Sequence, residues 1–432
     1  MHDIMADLRQ EIESRRRAMA KVVFRNARVF DGWSPDLREG CDVVVEDGVI
    51  REVSEGPVAL AGEAEVVECG GRVLMPGLID AHVHVYAASV NLGRAVRWPA
   101  TYVAHFAARF MEAALDRGFT TVRDMGGGDV GLGNALRDGL VKGPRLVYGG
   151  RVISQTGGHG DTRPGDSELS DLDACACACH TDALAVIADG ADAVRKAVRE
   201  ELRRGASHIK IMGSGGVASP TDPLDRCQYS DEEIAAAVDE AQRAGKYVAA
   251  HCHPTEAVRR CVALGVRSIE HATLVDEPTA AFVAEKGAYA VPTMATIFAL
   301  MDEGEALGLP PVSLEKLRRV ADAALGSLEI LHRAGVKMGS GSDLLGALHT
   351  RQTSELALRA RVLPTIEVLR SACAVNAELI DAAGRLGCVR EGAFADLLVV
   401  DGDPLADIGV LTGHGERLAV VMAQGRFHKR TI

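Results

Sequence analysis

PGLIDAHVHV, residues 76–85, is the stretch on which the reading of this chain turns. Proline and glycine open it, an apolar run follows, and His82 and His84 close it two positions apart. Residues i and i+2 of a strand face the same side, so both imidazoles are able to address one ion. Taken alone the pair is weak, because two histidines at this spacing also arise by chance.

Outward from it, seven further apolar runs follow: FTTVRDMGG, RLVYGGRVIS, SHIKIMGSG, KYVAAHCHP, RSIEHATLV, AYAVPTM and VKMGSGSD. Helical stretches such as DAVRKAVREELRRG and SDEEIAAAVDEAQRAG lie between them, several ending at a glycine (RRGAS, RAGKY, RAGVK) that suits a helix C-cap. Strand alternating with helix predicts a parallel sheet under helices. Eight such units fit a closed (β/α)8 TIM-like barrel better than an open doubly wound sheet.

The polar residues then fall where a barrel gathers its chemistry, at the carboxyl ends of the strands. Lys210 lies inside IKIM of the fourth run, His251 ends the fifth, His271 ends the sixth and Asp343 ends the eighth. A lysine inside an apolar strand is costly unless its charge is paired or removed. Four histidines and an aspartate suit Zn²⁺, with Mn²⁺, Co²⁺ or Fe²⁺ as other fits.

Both ends of the chain read differently. KVVFRNARVFDG, CDVVVEDGVI and EAEVVECGGRVLMPGL near the start, and FADLLVVDGDP and RLAVVMAQGRF near the end, are short β-rich segments bounded by Gly, Asp or Pro. We expect a helical arm over 1–20, a composite β-sandwich from 21–75 plus 377–432, and the barrel over 76–376.

With 432 residues, 47% of them hydrophobic and 25% charged, the chain has the balance of an ordinary globular protein. Sixty acidic against 48 basic residues give a formal charge of -12, which repels phosphate backbones and argues against nucleic acid as a partner. The first twenty residues lack the apolar centre of a signal peptide, and no stretch reaches the eighteen apolar residues of a membrane span. The expected location is cytoplasmic, with reduced thiols. Cys175, Cys177 and Cys179, followed by His180, lack the usual CxxC spacing and read as a small-residue loop. The glycines of MGGGDVGLG do not match GxGxxG, and no GxSxG is present, which disfavours dinucleotide binding and a serine hydrolase.

HVH after PGLIDAH, Lys210 in IKIM, His251 in AAHCH, His271 in IEHAT and Asp343 in GSGSD together resemble the binuclear metal-dependent amidohydrolase superfamily. The resemblance spans nearly the whole chain. TGGHGD, KIMGSGGVASPTDP, QYS and IEHATLVD are similar to its prolidase and carboxypeptidase-like branch, related to imidazolonepropionase, which removes a C-terminal amino acid from peptides or N-acyl amino acids. The resemblance implies two divalent metal ions, with His82 and His84 on one and His251 and His271 on the other. Lys210 would be carboxylated by CO2 to bridge them, and Asp343 would ligate the first. Such a pair, roughly 3.5–4 Å apart, activates a water and polarises the amide carbonyl. Asp343 would carry the proton from that water to the leaving nitrogen. A homo-oligomer, up to an octamer, is also implied.

The substrate expected on this basis is a small molecule: a dipeptide, Xaa-Pro-like, or an N-acyl amino acid such as ochratoxin. His159 in TGGHGD would hydrogen-bond its carbonyl oxygen or carboxylate, Tyr229 its carboxylate or the tetrahedral oxygen, and His253 a further part. Arg226 in PLDRCQY has the guanidinium to pair with a carboxylate, the other reading being a surface arginine. A proline-accepting or broad apolar pocket is preferred over a basic-residue one. Two alternatives stand beside this reading: a mononuclear cyclic-amide hydrolase or deaminase of the same superfamily, against which Lys210 speaks, and a non-catalytic scaffold.

Overall fold

The computed structural model describes residues 21–59, 62–163, 184–219 and 222–432. The expected N-terminal arm and the Cys175–Cys179 segment lie outside the described residues. The β-rich ends form one sheet. It is built from β1 (Val22–Val29), β2 (Arg38–Glu46), β3 (Val49–Glu55), β4 (Glu65–Glu68) and β5 (Val73–Pro76), with later strands joining from the far end of the chain.

Ten short strands follow: β6 (Leu78–Val83), β7 (Phe119–Asp124), β8 (Arg145–Tyr148), β9 (Val152–Ser154), β10 (Ala185–Ile187), β11 (Ile209–Met212), β12 (Val248–Pro254), β13 (Ser268–Leu274), β14 (Tyr289–Val291) and β15 (Lys337–Met338). They pair in parallel as β6-β7-β8 and as β10-β9-β11-β12-β13-β14-β15. Helices separate most of them, so the fold is mixed α/β with parallel sheets. The last three strands, β16 (Leu397–Val400), β17 (Leu418–Ala423) and β18 (Arg426–Arg430), return to the first sheet in the order β18-β17-β16-β5-β1-β2-β3, with β4 on β1.

Local sequence explains these elements. Ser230 caps the helix Asp231–Arg243 through a reciprocal pair with Glu233, the arrangement that satisfies two free backbone N–H groups at once. Asp276 caps Glu277–Glu285 by accepting from Thr279 N. Gly205, Gly245 and Gly335, the glycines expected to end helices, all have φ between +66° and +91°.

The run RLVYGGRVIS departs from the expected single strand. It breaks into β8 and β9 at Gly149-Gly150, because Gly150 has φ +74° and a Cβ on Gly149 would lie 2.8 Å from the His208 ring. β10, which pairs with β9, was not anticipated. Its three residues, Ala185–Ile187, are too short for a periodic signal.

Two large, separate apolar cores stand out among the described residues. One includes Phe24, Val43, Leu74, Leu397 and Val420 under the terminal sheet. The larger one packs Ile209, Ile211, Val248 and Ile269 of the parallel strands against helical residues such as Val198, Leu328 and Leu331. No helix among the described residues is long and apolar enough to cross a membrane.

Candidate metal centre

The carboxyl ends of β6, β11, β12 and β13 and the segment after β15 meet at one cavity. His82, His84, Lys210, His251, His271 and Asp343 all line it, as do His159 and His253. Strand register brings them level: Met212 pairs with His251, His251 with Glu270, and Cys252 with His271.

Each histidine is turned by a partner behind it. His82 donates from Nδ1 to Glu270 Oε2 at 2.8 Å, and its Nε2 lies 3.4 Å from Asp343 Oδ1. His84 donates from Nδ1 to the Gly126 carbonyl at 3.1 Å, and its Nε2 is 3.2 Å from the same aspartate oxygen. His251 instead donates from Nε2 to the Gly215 carbonyl at 3.3 Å, leaving Nδ1 unprotonated. His271 Nδ1 lies 2.8 Å from Thr293 Oγ1 and 3.9 Å from Asp343 Oδ2. A histidine whose outer nitrogen gives its proton to protein offers a lone pair at the other, the usual condition of a metal ligand.

Ligand atoms of His82, His271 and Asp343 all lie within 4.8 Å of one another. His251 and His271 have ring centroids 4.4 Å apart, and His82 and His271 5.1 Å. Bare imidazole nitrogens around a carboxylate form a borderline-hard donor set that fits Zn²⁺ or a similar divalent ion. Burial pushes three of the imidazoles toward the neutral, ligating form: His82 drops to about 4, and His251 and His271 fall well below the usual value, whereas at His84 the hydrogen bond and charge of Asp343 outweigh burial and raise it.

Lys210 is 2% exposed, and its ammonium makes no hydrogen bond to another described residue. Burial lowers its pKa, with Glu270 and Asp343 opposing that shift. Loss of the proton, which this burial favours, is what allows a lysine amine to add CO2.

Backbone strain gathers here. Asp343 has φ +52°, His271 +75° and Ala272 +52°, each costing on the order of 1–3 kcal/mol in a non-glycine residue. At His271 the effect is visible: ordinary strand alternation would send adjacent residues to opposite faces, yet Glu270 and His271 both reach His82. Asp80 holds the Asp343 turn by accepting from Ser342 N (3.0 Å), Ser342 Oγ (2.6 Å) and Gln352 Nε2 (2.8 Å).

Behind the histidines lies a buried ion pair that sequence reading missed. Arg123 donates to Glu270 Oε1 and Oε2 at 2.8 and 2.9 Å and to the Ala81 carbonyl at 2.6 Å, and both side chains are fully buried. Against the upward push of burial, Arg123 holds the Glu270 carboxyl well below the ordinary carboxylate range. Asp124, next to Arg123, accepts from Val85 N, Gly126 N and Gly128 N, and so fixes the carbonyl that orients His84. The available signal was the charged pair Arg123-Asp124 ending an apolar strand.

The rim expectations divide. His159 and His253 line the cavity, with His159 stacked on His251 at 4.2 Å and His253 on His271 at 5.0 Å. Tyr229 is not brought there. Its ring is buried in the core, and its hydroxyl donates to the Ala188 carbonyl at 3.1 Å, the chain turning through φ +59° at this residue. Arg226 is exposed and lies outside the cavity lining.

The amidohydrolase family model matches residues 73–427. Ochratoxinase of Aspergillus niger is 34% identical over 361 residues, covering 78% of this chain and 72% of its own length. Among solved structures, an amidohydrolase is 48% identical with a TM-score of 0.91, over 95% of this chain and 100% of that one. A prolidase complexed with N-methylphosphonate-L-proline is 46% identical with a TM-score of 0.92 over the same shares.

Proposed function

Because the chain belongs to the amidohydrolase family, we propose that it hydrolyses the amide bond to a C-terminal amino acid in Xaa-Pro-like dipeptides or in N-acyl amino acids such as ochratoxin. It is a hydrolase of amide or peptide bonds from the prolidase-like branch. The observation that carries the substrate reading is the meeting of His82, His84, Lys210, His251, His271 and Asp343 on one cavity whose outer walls are apolar.

His82, His84 and Asp343 would hold one divalent ion and His251 and His271 a second, with a carboxylated Lys210 between them. The pair would supply Lewis acidity toward the amide carbonyl and a water acidic enough to attack at neutral pH. Asp343 would take that water's proton on a carboxylate oxygen and return it to the leaving nitrogen. Zn²⁺ is the ion this donor set suits best.

The rest of the cavity speaks to the substrate. Ile297 and Leu300 come from the helix Met294–Glu303, Leu317 and Val320 from Pro311–Arg333, and Val217 and Leu345 from loops. Among the described residues, Lys210 and Asp343 are the ionisable lining side chains other than histidines. Such walls favour an apolar acyl group or side chain over a lysine or arginine.

The architecture proposed to frame the site is a closed (β/α)8 barrel over 76–376, beside a composite sandwich from 21–75 and 377–432. Ala81 N donates to Ser340 O and Asp343 N to His82 O, which links β6 to the segment after β15. Ser207 N donates to Tyr148 O beside the Ile211–Ile153 pairing, and in the proposed barrel β8 and β9 would share one of eight positions.

A panel of dipeptides and N-acyl amino acids, incubated with the zinc-loaded protein and assayed for released amino acid, tests the reading. Release from members with an apolar acyl group or side chain is expected. A panel with no turnover would sink the substrate proposal.

A further inference from the structure

A second cavity opens on the one that holds the proposed metal ligands. Leu92, His159, Thr162 and Ala218 line both, and Asn91, Arg94, Arg97, Ser219 and Pro310 complete the outer one. His159 stacks on His251 at 4.2 Å, so this vestibule begins one side chain away from the proposed ligands.

Local sequence holds two arginines at its edge. Asn91 caps the short helix Leu92–Ala95 by accepting from Arg94 N at 3.1 Å, and Arg97 N donates to Arg94 O at 3.2 Å, which continues the turn. Residues three apart on such a turn share a side. Gly93 presses the turn against the neighbouring loop, since a Cβ there would lie 3.3 Å from the Thr162 carbonyl. Both Arg94 and Arg97 are exposed at the mouth.

Their charge is unbalanced where they stand. No acidic residue lines the vestibule among the described residues, and neither guanidinium is paired with a described carboxylate. The carboxylates nearest in the lining loops are engaged elsewhere. Asp161 takes Arg163 at 2.6 and 2.5 Å, and Asp222 accepts from Gly216 N and Gln228 Nε2, both at 3.1 Å, with Lys316 Nζ 3.7 Å away. On a chain of formal charge -12 this is a local reversal of sign. A guanidinium stays charged at any working pH, and its forked donors match a carboxylate.

The apolar wall leads to these arginines. The helix Pro311–Arg333 gives Leu317 and Val320 to the inner cavity, while its N-cap Pro310 lines the vestibule, and Leu92 faces both. An acyl chain lying along that wall from an amide at the metals ends beside Arg94 and Arg97. We propose that Arg94 and Arg97 are specificity-determining residues that read charge at the far end of the acyl group, taking a carboxylate and repelling an ammonium. The substrate class that follows is an N-acyl amino acid whose acyl part is a dicarboxylic acid, apolar along its length and anionic at its tip. This deepens the hydrolytic reading above and rests on it.

Three conjugates of an amino acid released in the panel test it, with acyl groups of matched length: glutaryl, ending in a carboxylate; hexanoyl, neutral; and ω-aminopentanoyl, ending in an ammonium. With the zinc-loaded protein, kcat/KM for the glutaryl conjugate should exceed that for the aminopentanoyl conjugate about tenfold or more. The double variant Arg94→Gln/Arg97→Gln should bring that ratio close to one, and Arg94→Glu/Arg97→Glu should invert it; any loss common to both conjugates cancels in the ratio. Arg226→Gln removes the same charge from outside both cavities and should keep the wild-type ratio. A wild-type ratio near one, a ratio that survives Arg94→Glu/Arg97→Glu, or an equal loss in Arg226→Gln would overturn the proposal. Hydrolysis of the hexanoyl conjugate without the charge preference defeats this inference and leaves the proposed function intact, whereas no hydrolysis of any conjugate or panel member defeats both.

Discussion

Glu270 of β13 and His82 of β6 are bound 2.8 Å apart, one a fully buried carboxylate and the other a proposed ligand. The carboxylate fixes the imidazole with its proton on Nδ1, and Arg123 balances the charge. Glu270→Gln keeps the shape but loses the charge, and it leaves Arg123 buried without its counter-ion. Partners of this kind typically contribute 10–100-fold to metal affinity. Zinc competition against a chromophoric chelator should show a loss in that range, whereas unchanged affinity would mean that Glu270 serves the fold alone.

Lys210→Met removes a buried amine while keeping its volume. The metal-free variant should be at least as stable as the wild type, because an unpaired buried amine costs free energy. Metal content should fall below two per chain, and turnover should collapse by several orders of magnitude. Added formate or acetate should restore part of it by supplying the missing bridging carboxylate. Elemental analysis showing two tightly held ions in the variant would contradict the bridging role.

Leu300→Asp places a charge on the apolar wall between the helices Met294–Glu303 and Pro311–Arg333. We expect kcat/KM for substrates with apolar acyl groups to drop tenfold or more, mostly through KM, with metal content unchanged. Equal kinetics for the variant would place the acyl group elsewhere.

His349 gives a pH dependence. Its ring packs on Phe110 with centroids 4.2 Å apart, and burial pushes the imidazole down to about 3. In the unfolded chain it titrates near 6.5. Between these values the unfolded state binds the extra proton, so stability is lost as pH falls below about 6.5, by up to about 1.4 kcal/mol per pH unit. His349→Leu should remove that slope. Urea midpoints of the metal-free proteins from pH 7 to 5 should diverge, the variant gaining relative to wild type; parallel curves would assign the acid loss to other groups.

How much of this was readable from sequence differs by residue. The histidine pair and Lys210 could be found because strand periodicity is local and a lysine in IKIM violates it. Splitting of RLVYGGRVIS at Gly149-Gly150 could not, since only the approach of His208 shows why glycine is needed there. Glu270 was hidden by the same rule that found His82, because alternation sends it away from His271 until φ +75° reverses the turn. Tyr229 was assigned by resemblance of the surrounding loop and Arg226 by the pairing chemistry of its guanidinium, but loop conformation is set by tertiary contacts such as Tyr229 with Ala188. Arg94 and Arg97 carry no local signal, because Thr162 and Ala218, which wall the same cavity, come from distant parts of the chain.

The most direct test is amide hydrolysis measured against added metal. Metal-free protein titrated with Zn²⁺, and assayed for amino acid released from a substrate of the panel, should gain activity up to a break at two equivalents per chain. Full activity at one equivalent, or none at any ratio, would contradict a two-metal amide hydrolase.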